Sequence, residues 1–159
     1  MTVGLGKRIP AFSLPRSDGK PWKSADALSA DIKRGKLVIF FYPKAMTPGC
    51  TLEGQDFRDL HADFRRAKTT VVGISKDSCE RQAKFRVKEK FPFELLSDED
   101  EKVCRLFDVI REKSLYGRKF MGIERSTFLV GADGRLAREW RKVRVKGHAA
   151  EVLEAARSL

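Results

Sequence analysis

Residues 37–50 of the chain read LVIFFYPKAMTPGC. The apolar run at the start of this stretch, between a glycine and a proline, predicts a fully buried strand over Lys36 to Tyr42. Thr47 has the chemistry of a helix N-cap, and Pro48 suits the first helical position because its backbone angle is fixed and it has no N–H. The stretch therefore predicts a buried strand that runs into a helix.

The same stretch places Cys50 at about the third position of the predicted helix. Its sulfur would face backbone N–H groups that have no carbonyl partner, at the positive end of the helix dipole. Both favour the thiolate, which is the nucleophilic form of cysteine. A reactive cysteine is therefore predicted. The alternative is that Cys50 is an inert apolar residue, because free cysteine is among the residues most often buried.

Three motifs resemble those of one enzyme family. The spacing Pro43-x-x-x-Thr47-x-x-Cys50 after the apolar run resembles the active-site motif of peroxiredoxins. The longer string FYPKAMTPGCT, residues 41–51, is similar to the bacterioferritin-comigratory, or peroxiredoxin Q, branch of that family. Downstream, GIERSTFLV (residues 122–130) resembles the family's active-site arginine segment, and LSD (residues 96–98) resembles another family landmark. The resemblance covers nearly the whole chain.

The resemblance implies a peroxidase that works through a sulfenic acid on Cys50, with Thr47 and Arg125 contacting the reacting groups and Pro43 shielding the sulfur from water. It implies no cofactor and no metal. Each residue also has a purely structural interpretation. Thr47 could be only a helix cap, Arg125 could pair with Glu124 or another surface acid, and Pro43 could simply end a strand.

The position of a second, resolving cysteine departs from the family pattern. Many members of this branch carry it five residues after the first cysteine, where this chain has Gln55, and others carry it where this chain has residues 84–86, Lys-Phe-Arg. We therefore expect a one-cysteine cycle completed by an external thiol. The alternative is a two-cysteine cycle resolved by Cys79, whereas Cys104 is predicted to be a core residue.

Length and composition suit one domain over residues 1–159, with 42% hydrophobic residues and no apolar run long enough for a membrane helix. The first residues lack the apolar core of a secretory signal, so we expect a soluble, cytoplasmic protein. Three cysteines make neither a disulfide framework nor a C-x-x-C pair. The net charge of +11 is spread over short basic runs such as Lys33-Arg34, which favours solubility over a nucleic-acid role.

The alternation of strands and helices predicts an α/β domain with a mixed sheet flanked by helices, which the resemblance narrows to a thioredoxin-like fold. An N-terminal hairpin is expected before residue 23. The other predicted helices and strands are a helix from 47 or 48 to 67, a strand over 69–75, a helix from 77 or 78 to 90, a strand over 93–96, a helix over 98–107, strands over 126–130 and 136–140, and a helix over 148–158.

The residues and the resemblance together predict a thiol-dependent peroxidase of the thioredoxin-dependent peroxiredoxin class, which reduces hydrogen peroxide and organic hydroperoxides. The resemblance further implies a monomer, because relatives in this branch are often monomers. Its reductant is expected to be thioredoxin, glutaredoxin or a small thiol. Two other classes stay open: a thiol–disulfide oxidoreductase, and a basic interaction or holdase protein with an incidental cysteine. His148 is expected to serve as a cap or a solvated residue at the start of the last helix.

Overall fold

The computed structural model describes residues 2–28 and 35–159, so the predicted basic pair Lys33-Arg34 lies outside the described residues. The strands and helices follow in chain order: β1 (Ser13–Pro15), β2 (Pro21–Lys23), α1 (Ser24–Ala27), β3 (Lys36–Phe41), α2 (Pro48–Asp59), α3 (His61–Arg66), β4 (Thr69–Ser75), α4 (Cys79–Glu89), β5 (Glu94–Ser97), α5 (Lys102–Leu106), β6 (Ile110–Leu115), β7 (Arg118–Ile123), β8 (Ser126–Val130), β9 (Leu136–Trp140) and α6 (His148–Arg157).

The central sheet has five strands in the order β5-β4-β3-β8-β9. β3, β4 and β5 run parallel, while β8 is antiparallel to β3 and β9 is antiparallel to β8. The leading segment forms the β1–β2 hairpin, with Ser13 opposite Lys23. The predicted mixed sheet and the N-terminal hairpin are both confirmed.

The central strand β3 is buried on both faces because its alternate side chains enter two different cores. Val38 and Phe40 pack in a cluster that also contains residues of α2, α3, α4 and α6. Leu37 and Ile39 pack in a second cluster, with residues of β1 and α5. Complete burial of a side chain of this size contributes roughly 1.5–3 kcal/mol, so β3 anchors the sheet from which the cysteine loop emerges.

Two predicted helices have different bounds in the structure. The helix expected from 47 or 48 to 67 is divided at Leu60, where an Asp63 N–H donates to the Leu60 carbonyl in a tighter, three-residue turn. The helix expected from Asp98 is only Lys102–Leu106. Asp98 instead lies before α5, and its carboxylate accepts hydrogen bonds from the amides of Val103 and Cys104.

The β6–β7 hairpin, which lies outside the central sheet, was not predicted from the sequence. Its register runs from Ile110 opposite Ile123 to Leu115 opposite Arg118. Tyr116 and Gly117 connect the strands, and both have positive φ angles, as a two-residue hairpin turn requires. No helix in the described part of the chain combines the length and the apolarity needed to cross a membrane.

Candidate active site

Cys50 lies where the sequence predicts it, on the first turn of a helix that follows a buried strand. Thr47 has extended backbone angles at the N-cap, Pro48 is the first helical residue and Cys50 is the third. Met46, with a φ of 65°, turns the chain between the strand and the helix. The Cys50 side chain is only 1% exposed, so its sulfur meets the free amide end of α2 in a largely water-excluded place.

Thr47 and Pro43 both lie in the loop that joins β3 to α2. The Thr47 side chain makes no helix-cap hydrogen bond. Its hydroxyl donates to the Lys44 carbonyl at 2.8 Å, which leaves the oxygen lone pairs available to a hydrogen-bond donor. Pro43 is half-buried two residues after the end of the strand. A helix cap therefore does not explain the threonine side chain.

Arg125 reaches the cysteine from the junction of β7 and β8. Its Nη2 donates to Cys50 Sγ at 3.4 Å, and its Nη1 donates to Glu53 Oε1 at 2.6 Å. The alternative pairing with Glu124 is not observed. Among the described residues, the nearest cation to the Glu124 carboxylate is Arg111, whose Nε is 3.9 Å away. Arg125 therefore joins the sulfur to a buried carboxylate.

Glu53 is a residue of this site that was not predicted from the sequence. Its side chain is 1% exposed, and Oε2 has no hydrogen-bond partner within the described residues. Burial raises the pKa of Glu53 to about 7, although the positive charge of Arg125 opposes the shift. Its spacing from Cys50 is the sequence feature that would have indicated Glu53, because a residue three positions after Cys50 lies on the same face of α2.

The electrostatics of Arg125 favour a permanent positive charge beside the sulfur. Burial lowers the pKa of the Arg125 guanidinium, but the electrostatic attraction of Glu53 and Cys50 and the hydrogen bonds to both groups together outweigh it, so the net shift is upward. Gly49 makes this approach possible, since a Cβ on that residue would lie 3.1 Å from Nη2. A fixed cation in hydrogen-bond contact with sulfur stabilises the thiolate over the thiol.

Comparisons with known proteins establish the family to which the chain belongs. The sequence profile of the AhpC/TSA family matches residues 5–139. The chain belongs to the AhpC/TSA family. It is 44% identical over 160 residues to peroxiredoxin Bcp of Bacillus subtilis, covering 100% of this chain and 98% of the relative. It is also 52% identical over 119 residues to peroxiredoxin Bcp of Xanthomonas campestris, covering 75% and 74% of the two chains.

Solved structures of similar proteins have the same fold as this AhpC/TSA member. One is a structure of the bacterioferritin comigratory protein of Xanthomonas campestris, from a study of its alkyl peroxide reduction activity. Its TM-score is 0.85 at 44% identity, and the match covers 92% of this chain and 90% of that chain. A cysteine-to-serine variant of PrxQ from Xylella fastidiosa gives a TM-score of 0.88, 37% identity and coverage of 99% and 98%. The predicted thioredoxin-like fold and the resemblance to the peroxiredoxin Q branch are confirmed.

The chain is therefore a peroxiredoxin, an enzyme that reduces a peroxide with electrons from a thiol. Membership in this family decides against the two other classes that the sequence left open, the thiol–disulfide oxidoreductase and the basic interaction protein. Within the described residues, no group of three or more His, Cys, Asp and Glu side chains is arranged to hold a metal ion.

The contact between Glu53 and Arg125 yields the first prediction. Glu53→Ala removes the acceptor that orients the guanidinium, and we expect peroxide to oxidise Cys50 about tenfold more slowly, since small misplacements of a catalytic group are costly. Glu53→Gln keeps an acceptor of the same length and is expected to stay within about threefold of the wild type. Rapid-quench mass spectrometry of the reduced proteins measures both rates. Equal rates for the alanine and glutamine variants would contradict this role.

His148 differs from its prediction, because it is neither a solvated residue nor the N-cap. Gly147 is the N-cap of α6, and the His148 ring is 5% exposed, with Nε2 2.8 Å from the Thr127 hydroxyl. Burial lowers the pKa of His148 to about 4, although Glu151 opposes the shift and Arg125 adds to it. The sequence feature that would have indicated this burial is the helical spacing of His148, Val152 and Ala155, which places the three residues on one face of α6.

Because the imidazole of His148 is buried, we expect the protein to lose stability in mild acid. Folded His148 binds its proton more weakly than the unfolded chain does, so its contribution is complete above pH 6.5 and is lost as the pH falls towards 4. The difference amounts to roughly 3 kcal/mol of unfolding free energy. Urea denaturation of the wild type and His148→Gln from pH 7 to pH 4 measures it. Parallel pH profiles of the two proteins would show that His148 does not contribute.

The other two cysteines lie in different environments. Cys104 is completely buried, and burial, followed by the negative charge of Asp98, raises the pKa of its thiol far above the ordinary value. This agrees with the prediction of a core residue. Cys79 is half-buried at the first position of α4, as the sequence predicts. Gln55, at one of the family's resolving positions, donates to the Glu89 carboxylate at the far end of α4.

Proposed function

We propose that Cys50 is the residue that peroxide oxidises, with Arg125, Thr47 and Pro43 completing the catalytic site. The contact of Arg125 Nη2 with Cys50 Sγ, at 3.4 Å on the first turn of α2, is the observation that carries the proposal. A helix N-terminus and a guanidinium both act on the same sulfur, and both favour the negative charge that a nucleophile needs. Glu53 positions the guanidinium.

The first step is attack of the Cys50 thiolate on one oxygen of the hydroperoxide. The sulfur–oxygen bond forms as the oxygen–oxygen bond breaks, and the departing oxygen takes the bonding electron pair and then a proton. The products are a sulfenic acid on Cys50 and water or an alcohol. Negative charge moves from sulfur to the departing oxygen, so the preplaced Arg125 guanidinium and the free amides of α2 stabilise the transition state.

Thr47 and Pro43 contribute to the same step in different ways. Because the Thr47 proton is donated to the Lys44 carbonyl, its oxygen is free to accept the hydrogen bond of the peroxide O–H. Accepting that bond would orient the peroxide for attack. Pro43 offers no polar side chain, and its half-buried ring limits the access of water to the thiolate and the sulfenic acid.

The second half of the cycle uses an external thiol. The reductant attacks the sulfenic sulfur, releases water and leaves a mixed disulfide, and a second thiol then restores the Cys50 thiol. Thioredoxin, glutaredoxin and small thiols all have this chemistry. Hydrogen peroxide and alkyl hydroperoxides are the proposed substrates, the latter because the Xanthomonas campestris relative is described by its alkyl peroxide reduction activity.

We propose one catalytic domain over residues 1–159, acting as a monomer in the cytoplasm. Support for the single domain comes from the two cores, because both include side chains of the same strand, β3.

Replacement of the other two cysteines tests the one-cysteine cycle. The variant with both Cys79→Ser and Cys104→Ser is expected to keep at least half of the wild-type turnover of hydrogen peroxide with dithiothreitol as reductant, because no internal disulfide is needed. Circular dichroism controls for folding, and Cys104→Ser alone controls for the loss of the buried thiol. The peroxide remaining is measured over time.

The outcome that contradicts the cycle is loss of turnover in Cys79→Ser alone. Such a loss would have a structural explanation, because residues next to Cys79 form hydrogen bonds with the loop that leads to Cys50. Asp77 accepts from the Ala45 amide at 2.7 Å, and Arg81 donates to the Ala45 carbonyl at 3.2 Å. Movement of α4 would therefore be coupled to the loop that leads to Cys50, and Cys79 would then be the resolving residue.

A further inference from the structure

The β6–β7 hairpin carries an unpaired cation at the active site. Its second strand ends two residues before Arg125, and the Glu124 amide donates to the Val109 carbonyl, so the base of the hairpin is fixed beside the arginine. Residue 113 is paired with residue 120, and residue 111 with residue 122. Because side chains alternate along a strand, Arg111 and Lys113 share a face with Phe120.

Lys113 has a half-buried side chain on this face. Its Cδ would be 3.5 Å from a Cβ on Gly122, and an edge atom of the Phe120 ring would be 3.3 Å from the same point. The absence of a side chain at Gly122 therefore lets the lysine stem and the aromatic ring come together. Phe120 is nonetheless 46% exposed, so one side of this pair is open to a ligand.

The charge of Lys113 has no partner among the described residues. No carboxylate oxygen lies within 4.0 Å of its ammonium, whereas its neighbour Arg111 is paired with Asp108 at 2.8 Å and lies near Glu124. Burial and the positive charge of Arg125 lower the pKa of Lys113, and the Cys50 sulfur and Glu124 oppose the shift. Lys113 therefore lies within electrostatic reach of both Cys50 and Arg125.

The two cations, Arg125 and Lys113, differ in whether they are bonded to protein groups. Arg125 is fixed in place, because one N–H of its guanidinium donates to Glu53 and another donates to Cys50. The Lys113 ammonium has all three donors free for another molecule. Beside it, the exposed ring of Phe120 offers an apolar contact. A ligand that has a carboxylate attached to an apolar group would use both.

We propose that Lys113 and Phe120 form a binding site for a carboxylate carried by the molecule that reacts with Cys50. The inference rests on the proposed function, because the bound molecule is one of the two reactants of that cycle. The chemistry at the subsite is the same for an organic hydroperoxide with a carboxylate and for a thiol with a carboxylate. Lys113 thus favours anionic reactants over neutral ones of the same size.

Matched pairs of reactants test the proposal and separate the two sources. In the peroxide arm, reduced protein is oxidised by cumene hydroperoxide that carries a ring carboxylate, or by the methyl ester of that compound. In the thiol arm, the sulfenic acid is reduced by glutathione or by glutathione diethyl ester, with rates corrected for the thiolate fraction. Each peroxide rate is divided by the rate of the same variant with hydrogen peroxide, and each thiol rate by its rate with 2-mercaptoethanol, so general effects on Cys50 cancel.

The variants are Lys113→Gln, which removes the charge, Lys113→Arg, which keeps it, and Lys119→Gln as the control. Lys119 is on the other face of the same hairpin, 3.6 Å from the Glu112 carboxylate. We expect the acid-to-ester rate ratio to fall about fivefold in Lys113→Gln in at least one arm, the size of one exposed charge pair. The ratio should be retained in Lys113→Arg and Lys119→Gln. The arm in which it falls identifies the anionic reactant.

An unchanged ratio in both arms for Lys113→Gln, or an equal fall in Lys119→Gln, would overturn the proposal. Failure of the proposed function looks different, because Cys50 would then not be oxidised by any peroxide. In that case the subsite is tested by titrating S-methylglutathione, which has no reactive thiol, and following the Lys113 side chain by NMR. Saturable binding that weakens in Lys113→Gln supports the subsite, and no binding in the wild type overturns it.

Discussion

Cys50→Ser is expected to abolish peroxide turnover, with a loss of roughly 10⁴-fold or more, the scale seen when a catalytic nucleophile is removed. A serine hydroxyl stays protonated at neutral pH even beside Arg125, so the helix N-terminus and the guanidinium have no anion to stabilise. The measurement is consumption of hydrogen peroxide by the reduced protein with dithiothreitol present, corrected for the reaction of dithiothreitol alone.

The matched control for this variant is Cys104→Ser, which replaces another buried cysteine outside the site. Its turnover is expected to stay near the wild-type value if it folds, which circular dichroism and a thermal melt establish for both variants. Turnover by folded Cys50→Ser at the wild-type rate would show that peroxide reacts elsewhere in the chain.

Arg125→Ala is expected to slow the oxidation of Cys50 about 10²- to 10³-fold, as removal of one preplaced donor to a developing oxyanion does. The variant removes the only charged side chain in hydrogen-bond contact with Cys50 Sγ within the described residues, and it leaves buried Glu53 without its partner. Arg125→Lys should recover only part of the rate, because an ammonium cannot reproduce the planar fork that reaches both groups.

Second-order rate constants for oxidation by hydrogen peroxide, taken from rapid-quench mass spectrometry, measure this effect. Arg111→Ala is the control, since Arg111 is a nearby arginine that pairs with Asp108 and lies near Glu124 rather than Cys50. A fall of the same size in both variants would mean that general positive charge, and not the contact with sulfur, sets the rate.

The strand, the loop and the first turn of α2 were predictable because short-range physics decides them. A continuous apolar run specifies a buried strand, and Thr47-Pro48 specifies a helix start whatever the rest of the chain does. The position of Cys50 follows from counting along the helix. The placement of Arg125 came from the family resemblance, since nothing local in its segment indicates which residue its guanidinium contacts.

The parts that the sequence did not predict depend on long-range contacts or on weak local patterns. Glu53 and Arg125 are 72 positions apart, so only the folded sheet brings them together. The β6–β7 hairpin carries charged residues where a half-buried strand would carry apolar ones, and no periodicity marked it. His148 looked like a surface residue because its partner, Thr127, belongs to the distant strand β8.

Whether peroxide oxidises Cys50 is tested most directly by the intact mass of the reduced protein after brief exposure to one equivalent of hydrogen peroxide, with each cysteine replaced in turn. We expect a gain of one oxygen atom, lost in Cys50→Ser and kept in Cys79→Ser and Cys104→Ser. A gain that persists in Cys50→Ser, or no rapid change in the wild type, would contradict the assignment of Cys50. Loss of two hydrogens that requires Cys79 would contradict the one-cysteine cycle.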